Sequence, residues 1–308
     1  MTDTATPARR LLTLTIFPLL LGGSMVVASA GLARELPSVP LSLGLVACVA
    51  LTIALLERLH PHSARWQEPR EDVVTDWTHL VITMVVGSEL TKAAVRILLI
   101  PVAASISEGL GFELWPARWP LLAQATLALF VAEILYYAYH RAAHETELLW
   151  RLHATHHSAE RLYWLNANRF HPIEASISYV VEIGPLILLG ASEQVLALFA
   201  VFTAVHGMLQ HANIRMELGP LNWVFSGTEL HRWHHSRDVS SANHNYGSNL
   251  IWMDLLLGTR FLPGDREHQP EDVGIEMEGF PKTYLGQLLS PFRWSQLQAH
   301  PLEAPEVS

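Results

Sequence analysis

The stretch that decides this fold is HRAAHETELLWRLHATHH, residues 140–157. It holds five of the chain's 17 histidines and directly follows an apolar run. A second cluster, ELHRWHH, occupies residues 229–235. Within both clusters the histidines stand three or four residues apart, and side chains at these spacings share one face of a helix. Each cluster can therefore direct two or three imidazoles at one point.

Imidazole nitrogen is a ligand for zinc, copper, iron and nickel. The clustered histidines exceed the roughly four to six ligands that one first-row metal ion takes. The sequence therefore predicts two metal ions lying close together. The eight predicted ligands are His140, His144, His153, His156, His157, His231, His234 and His235.

The composition is that of a membrane protein. Hydrophobic residues make up 50% of the 308 residues and charged residues only 16%, with a mean hydropathy of +0.23, whereas soluble domains carry roughly 25% charge. A helix crosses a bilayer with about 20 apolar residues. Apolar runs near or above this length lie at 11–30, 39–56, 79–105, 121–139 and 173–206. We therefore predict an all-α, polytopic membrane helical bundle that carries a histidine-rich helical cap.

Two of these runs have alternative readings. The first is either a membrane span or a signal peptide, because Arg9 and Arg10 precede its apolar core. The last breaks near Gly190 and forms either two short spans or a re-entrant hairpin. With six passes, nearly all arginines of the loops fall on one side, which places the histidine clusters on the cytoplasmic side.

Charge and cysteine content exclude several kinds of partner and cofactor. The net charge is −9 and no basic patch interleaved with aromatic residues occurs, so a nucleic-acid partner is not expected. Cys48 is the single cysteine, which rules out a disulfide within the chain and an iron–sulfur cluster bound by four cysteines. Any electrons for redox chemistry must come from a separate protein.

The motifs HRAAH, HATHH and HRWHH, together with NYGSNLIWMDLLLGT at residues 245–259, resemble the fatty acid hydroxylase superfamily. The resemblance covers residues 76–263. It implies a membrane oxygenase with two iron ions on the cytoplasmic face of the membrane. In a bacterium this membrane is the inner membrane. Such an enzyme uses O2 as co-substrate, and electrons from a reductase, ferredoxin or cytochrome, to hydroxylate or desaturate a C–H bond of a lipid.

The resemblance also extends the set of candidate site residues. It points to His211, in the segment HANI, as a ninth ligand, and to His206, His171 and His244 as further candidates. Carboxylates near metal-bound histidines commonly accept the remaining ring N–H. The candidates for this supporting role are Glu145, Glu160, Asp238 and Asp254.

The resemblance divides the chain into three parts. Residues 1–75 form an N-terminal membrane hairpin and loop, residues 76–263 the catalytic domain, and residues 264–308 a polar, acidic and solvated C-terminal tail.

Other functions fit the sequence less well. A hydrolytic zinc site has about three protein ligands, and the HExxH motif is absent. A carboxylate-bridged di-iron protein needs two ExxH units, and the chain has one, from Glu57 to His60. A membrane metal-binding or metal-transport protein without oxygenase activity remains the alternative, although transport favours ligands at mid-membrane depth. The lipid, and the choice between hydroxylation and desaturation, are left open.

Overall fold

Helices form the regular structure of the part of the chain that the structure, a computed structural model, describes: residues 7–264, 270 and 272–299. No β-strand occurs among these residues, only isolated bridges such as Phe225 to Leu250. The long helices are α1 (Pro7–Leu32), α2 (Ser38–Leu59), α3 (Val73–Thr78) continuing through a π-helix (His79–Gly87) into α4 (Ser88–Leu110), α5 (Leu121–Glu145), α6 (Glu147–His157), α7 (Pro172–Leu188) and α8 (Glu193–His211). The predicted all-α class is confirmed.

Shorter helices build the cap. They are α9 (Thr228–His234), α10 (Val239–Ala242), α11 (Trp252–Leu257), α12 (Tyr284–Leu289) and α13 (Trp294–Gln298), with 3₁₀ turns at Arg65–Gln67, Trp164–Asn168, Gly219–Trp223 and Ser290–Arg293.

Helices α5 and α8 form the centre of the bundle. Helix α8 packs against α1, α2 and α5, while α7 packs against α4 and α5. Their shared core is largely aliphatic and includes the fully buried Ala128, Leu186, Leu198 and Leu209. On the outside, large apolar side chains are exposed, among them Leu51 at 74% and Leu90 at 79%. Such exposure suits contact with lipid rather than water.

Five helical stretches are long and apolar enough to cross a membrane, by length and composition. They are α1, α2, the continuous stretch Val73–Leu110, α5 and α8. The chain therefore has the features of a multi-pass membrane protein, as predicted. Helix α7 has 17 residues, which is shorter than the roughly 20 of a full span. The six-pass topology and the cytoplasmic orientation remain predictions.

The predicted break near Gly190 separates α7 from α8. Gly190 has φ +90°, a left-handed conformation that glycine adopts at little cost. The Ser192 hydroxyl then accepts a hydrogen bond from the Val195 N–H at 3.3 Å, which caps the first turn of α8. The apolar run therefore forms two helices that both pack against α5.

The C-terminal segment differs from the expected solvated tail. In residues 272–299, Val273, Gln287 and Trp294 are buried. Gln287 bonds the ring of His79 at 2.8 Å, and the Lys282 carbonyl accepts a hydrogen bond from Thr75 at 2.7 Å. These contacts hold the segment against α3 and the π-helix, so this part of the tail belongs to the folded cap. The rest of the tail lies outside the described residues, and the three-part division of the chain remains a prediction.

Candidate metal centre

Four helices bring nine histidines together at one end of the bundle. Helix α5 ends at Glu145, and Thr146 is extended with φ −121° and ψ 129°. This turn lets α6 fold back so that its histidines face those of α5. Helices α8 and α9 close the other side. The nine residues are His140 and His144 of α5, His153, His156 and His157 of α6, His211 of α8, and His231, His234 and His235 of and just after α9.

Five of these histidines form one group, in which ligand nitrogens lie within 4.8 Å of one another: His140, His144, His153, His157 and His234. The Nε2 atom of His140 is 3.0 Å from Nε2 of His153 and 3.1 Å from Nε2 of His234. The Nε2 atoms of His153 and His157 are 3.1 Å apart.

The other four, His156, His211, His231 and His235, form a second group on the same criterion. Here Nε2 of His231 is 2.9 Å from Nε2 of His211 and 3.1 Å from Nε2 of His235. The two groups adjoin, because the rings of His157 and His235 stack with centroids 4.3 Å apart.

Each HxxHH triplet is divided between the two groups. His153 and His157, four residues apart on α6, enter the five-histidine group, while His156 enters the other. The second triplet is divided in the opposite way: His231 and His235 belong to the four-histidine group, and His234 belongs to the five-histidine group. A triplet therefore serves two points rather than the single point that its spacing allows.

The outward nitrogens of six rings are held by oxygen acceptors. The Nδ1 atoms are bonded to the Tyr246 carbonyl (His140, 2.7 Å), the Asn243 amide oxygen (His144, 3.1 Å), the Glu174 carboxylate (His153), the Arg169 carbonyl (His156, 3.3 Å), the Asn166 amide oxygen (His211, 2.9 Å) and the His244 carbonyl (His234, 2.8 Å). An oxygen acceptor requires Nδ1 to carry the proton, which leaves Nε2 with a lone pair.

Given these protonation states, the short Nε2–Nε2 distances show whether the site suits a metal ion. Both His140 and His234 donate Nδ1–H to a carbonyl, so their neutral rings face each other with lone pairs 3.1 Å apart. No hydrogen bond joins two lone pairs, and the contact is repulsive unless a cation lies among the nitrogens. Converging imidazole lone pairs are the ligands that first-row transition metals take. The residues therefore fit a metal site.

Burial favours the neutral, ligating form of the imidazoles. It lowers the pKa of His234 to about 3. It also lowers the pKa of His156, His157, His231 and His235 well below the usual value, with the neighbouring histidines adding to the effect. A buried imidazole avoids the charged form because desolvating that charge is costly. At neutral pH these nitrogens are free to bind metal.

Three candidate histidines lie outside both groups. His206 is buried between Phe17, Phe202 and Phe225, and neither ring nitrogen has a partner among the described residues. The Nδ1 of His171 accepts the Ile173 N–H at the start of α7. The ring of His244 packs on Phe261, and only its backbone carbonyl reaches the centre.

Most of the carboxylates expected to support the imidazoles have other partners. Glu145 pairs with Arg141 on the surface, Glu160 faces Lys282, and the Asp238 side chain is exposed and caps α10. Their helical and loop positions point them to solvent, so none bonds an imidazole. Asp254 supports the centre indirectly. It accepts the backbone N–H groups of Tyr246 and Gly247, and the Tyr246 carbonyl in turn accepts the Nδ1–H of His140.

The supporting side chains that sequence reasoning missed are Glu174, Asn166 and Asn243. Glu174 carries a usable signal, since it is an acidic residue three positions after His171 at the start of an apolar run. Asn166 lies in a 3₁₀ turn and Asn243 directly after α10, where the sequence gives no such signal.

Two buried carboxylates accept the backbone N–H groups of a loop beside the centre, residues 246–250. Asp254 accepts the first two N–H groups of residues 246–250, and Glu133 of α5 accepts the other three at 2.5, 3.0 and 2.9 Å. Gly247 is the close-packed point of this loop, because a Cβ there would lie 2.4 Å from the Leu250 carbonyl oxygen. The loop therefore places the Tyr246 carbonyl under His140.

Comparison with known proteins identifies the family. The family model described as fatty acid hydroxylase matches residues 125–259. The ornithine lipid hydroxylase OlsE of Rhizobium tropici is 39% identical over 243 residues, which are 78% of this chain and 72% of that protein. The chain belongs to the fatty acid hydroxylase family. This confirms the predicted family and the predicted class of enzyme, an oxidoreductase of the lipid hydroxylase and desaturase type.

Other family members match a shorter part of this chain. Alkylglycerol monooxygenase of Xenopus tropicalis is 33% identical over 128 residues, 42% of this chain and 28% of that protein. A very-long-chain aldehyde decarbonylase of Oryza sativa subsp. indica is 28% identical over 155 residues, 49% of this chain and 58% of that protein. No solved structure matches the chain.

Proposed function

We propose that this protein binds two iron ions through the nine clustered histidines and inserts oxygen from O2 into a C–H bond of a polar membrane lipid. The observation that carries the proposal is the division of the histidines into two adjoining buried groups of five and four. Groups of this size match the roughly four to six ligands that one first-row transition-metal ion takes. When bound, two iron ions would supply the oxidising power to hydroxylate an unactivated C–H bond with O2, two electrons from a separate donor and two protons, the second oxygen atom leaving as water.

The chain's own residues have three tasks in this proposal. The imidazole Nε2 atoms bind the metals. The Nδ1 acceptors, above all Glu174 and Asn166, hold each ring in its orientation and tautomer. Burial excludes bulk water, since every ligand ring except that of His144 is buried. Exclusion of water protects a reactive oxidant from side reactions.

The relatives guide the proposed substrate and outcome. The relative with the larger coverage is named an ornithine lipid hydroxylase and another an alkylglycerol monooxygenase. Both names describe addition of oxygen to a lipid with a polar headgroup. We therefore favour hydroxylation over desaturation and propose a polar lipid as substrate.

The proposed location and electron source follow from the sequence. With the predicted six passes, arginines concentrate in the loops on the histidine side, which supports a cytoplasmic site at a bacterial inner membrane. Cys48 is the single cysteine, so the reducing electrons are proposed to come from a separate donor of reductase, ferredoxin or cytochrome type. A metal transporter is disfavoured, because the ligands of α5 and α8 lie in or near the final turns rather than at mid-span.

Two measurements test the proposal. Purified full-length protein should contain about two irons per chain, and one zinc ion or no metal would contradict it. Lipid mass spectrometry of cells with and without the gene should show a product heavier by one oxygen atom. His156→Ala and His234→Ala each remove a ligand from a different group, so both should abolish the product. A product that persists in both variants would refute the site.

A further inference from the structure

A polar cavity of about 360 Å³ lies beside the metal centre. Its wall comes from the loop before α3, the segment after α6 and the C-terminal segment 275–287. Ser158, in this wall, directly follows the ligand His157. Arg169, also in the wall, holds the His156 ring through its backbone carbonyl at 3.3 Å. The cavity therefore shares residues with the support of the proposed ligands.

Two arginines in this wall have unmet hydrogen-bonding capacity. Arg169 is 4% exposed and pairs with Asp76, yet its Nη2 has no partner among the described residues. The Nε of Arg70 is also buried without a partner in the part of the chain described. A buried donor left unpaired costs about 1–3 kcal/mol, and more when it is charged. An acceptor that reached these nitrogens from the cavity would remove this cost.

Most of the other charged groups of the wall already have hydrogen-bond or ion-pair partners. Asp72 receives two hydrogen bonds from Arg161, and Arg237 donates to the carbonyls of Ile275 and Val273. Lys282 and Glu160 face each other at 3.6 Å. Glu278 lies at the exposed rim. The donors that remain for a ligand belong to Arg70 and Arg169, and guanidinium groups bind carboxylate and phosphate oxygens well.

The depth of the cavity indicates a lipid rather than a free solute. Arg70 and Asp72 immediately precede Val73, where the candidate span Val73–Leu110 begins. The neighbouring helices carry exposed apolar side chains, Val74 at 80% and Trp77 at 47% on α3 and Leu285 at 63% on α12. Tryptophan at such a position is typical of the membrane interface. The cavity therefore lies at the depth of lipid headgroups.

We propose that this cavity binds the oxyanion, a phosphate or carboxylate, of the headgroup of the lipid substrate between Arg70 and Arg169. That the bound lipid is the substrate rests on the proposed function, whereas the binding itself does not. Arg169 also forms a buried ion pair, so Arg70 is the residue to change.

Binding can be measured on the full-length protein in a neutral maltoside detergent, without reductant or turnover. The probes for calorimetry are dihexanoyl phosphatidic acid, N-hexanoylglycine, the uncharged dihexanoylglycerol and inorganic phosphate. We expect the two anionic lipids to bind and dihexanoylglycerol to bind at least tenfold more weakly. Arg70→Gln should weaken the anionic lipids by about 10- to 100-fold, the range of a charge-assisted hydrogen bond. Arg70→Lys should recover part of the affinity.

The matched control is Arg65→Gln, because Arg65 is exposed in the same loop and does not line the cavity. It should bind all probes as the wild type does. Equal binding of dihexanoylglycerol, or unchanged binding by Arg70→Gln, would overturn the oxyanion site. Phosphate binding as tight as that of phosphatidic acid would overturn the assignment to a lipid.

The link to the substrate has its own readout. In cells, Arg70→Gln should lower the hydroxylated lipid while the iron content of the protein stays unchanged. Unchanged product with weakened binding would show that the bound lipid is not the substrate. If wild-type cells contained no hydroxylated lipid, the proposed function would be refuted. The binding site would still stand, because the binding assay does not depend on turnover.

Discussion

Replacing Glu174 by alanine should weaken metal binding at the five-histidine group. The Glu174 carboxylate is bonded to Nδ1 of His153, and both side chains are 1% exposed. The opposite nitrogen, Nε2 of His153, lies 3.0 Å from Nε2 of His140 and 3.1 Å from Nε2 of His157. Glu174 therefore fixes the ring whose inward nitrogen touches two other proposed ligands.

Loss of such a partner typically lowers metal affinity by about 10- to 100-fold. This range corresponds to about 1.4–2.7 kcal/mol, and because the pair is buried, solvent screening does not reduce it. Glu174→Gln keeps an oxygen acceptor for His153 without the charge, so we expect a smaller loss. The control is Glu182→Gln on the same helix, whose carboxylate accepts from Ser248 rather than from an imidazole.

Affinity can be measured by iron competition with a chelator, using purified full-length variants. Thermal unfolding of the iron-free proteins would show whether Glu174→Ala remains folded. A folded Glu174→Ala variant with the iron affinity of the wild type would refute the reasoning. Equal losses in Glu174→Ala and Glu182→Gln would also refute it, since the effect would then not depend on the bond to His153.

Three further predictions concern residues outside the proposed ligand set. Glu133→Ala leaves three N–H groups of residues 248–250 without their acceptor, so the unfolding free energy should fall by about 3–9 kcal/mol, and an unchanged melting temperature in detergent would contradict this. Burial and nearby arginine charge lower the pKa of His62 to about 2. Its folded state therefore resists protonation, and stability should fall by up to about 2 kcal/mol from pH 6.5 to pH 5. His62→Asn should flatten the pH dependence of the melting temperature, and an identical slope in both proteins would count against it. His206→Phe should keep full iron content, since His206 packs among phenylalanines, and loss of iron would show that it is a ligand.

The loop at residues 246–250 shows how support for the centre extends beyond its ligands. Its N–H groups end on Asp254 and Glu133, and its Tyr246 carbonyl holds His140. Asp254 thus supports the metal centre through the backbone rather than by bonding an imidazole. A carboxylate that binds backbone N–H groups is common in folded proteins, so the sequence could not assign this arrangement.

The sequence by itself determined the class of protein and the kind of side chain, imidazole, that forms the site. Long apolar runs predict membrane helices because about 20 residues span a bilayer. The three- and four-residue spacings within 140–157 and 229–235 predict imidazoles on shared helix faces. Both follow from local helix geometry, which needs no knowledge of what packs against the helix.

Only the tertiary structure decided how the histidines are shared between two groups. Successive residues of a helix differ by about 100° in direction, because one turn takes 3.6 residues, so His156 and His157 face different neighbours. Which neighbours they meet depends on how α6 packs against α5, α8 and α9. The same packing brings Glu174 and Asn166 to the rings, leaves His206 among phenylalanines and folds residues 272–299 onto the cap. These contacts join residues far apart in the sequence, and local spacing carries no information about them.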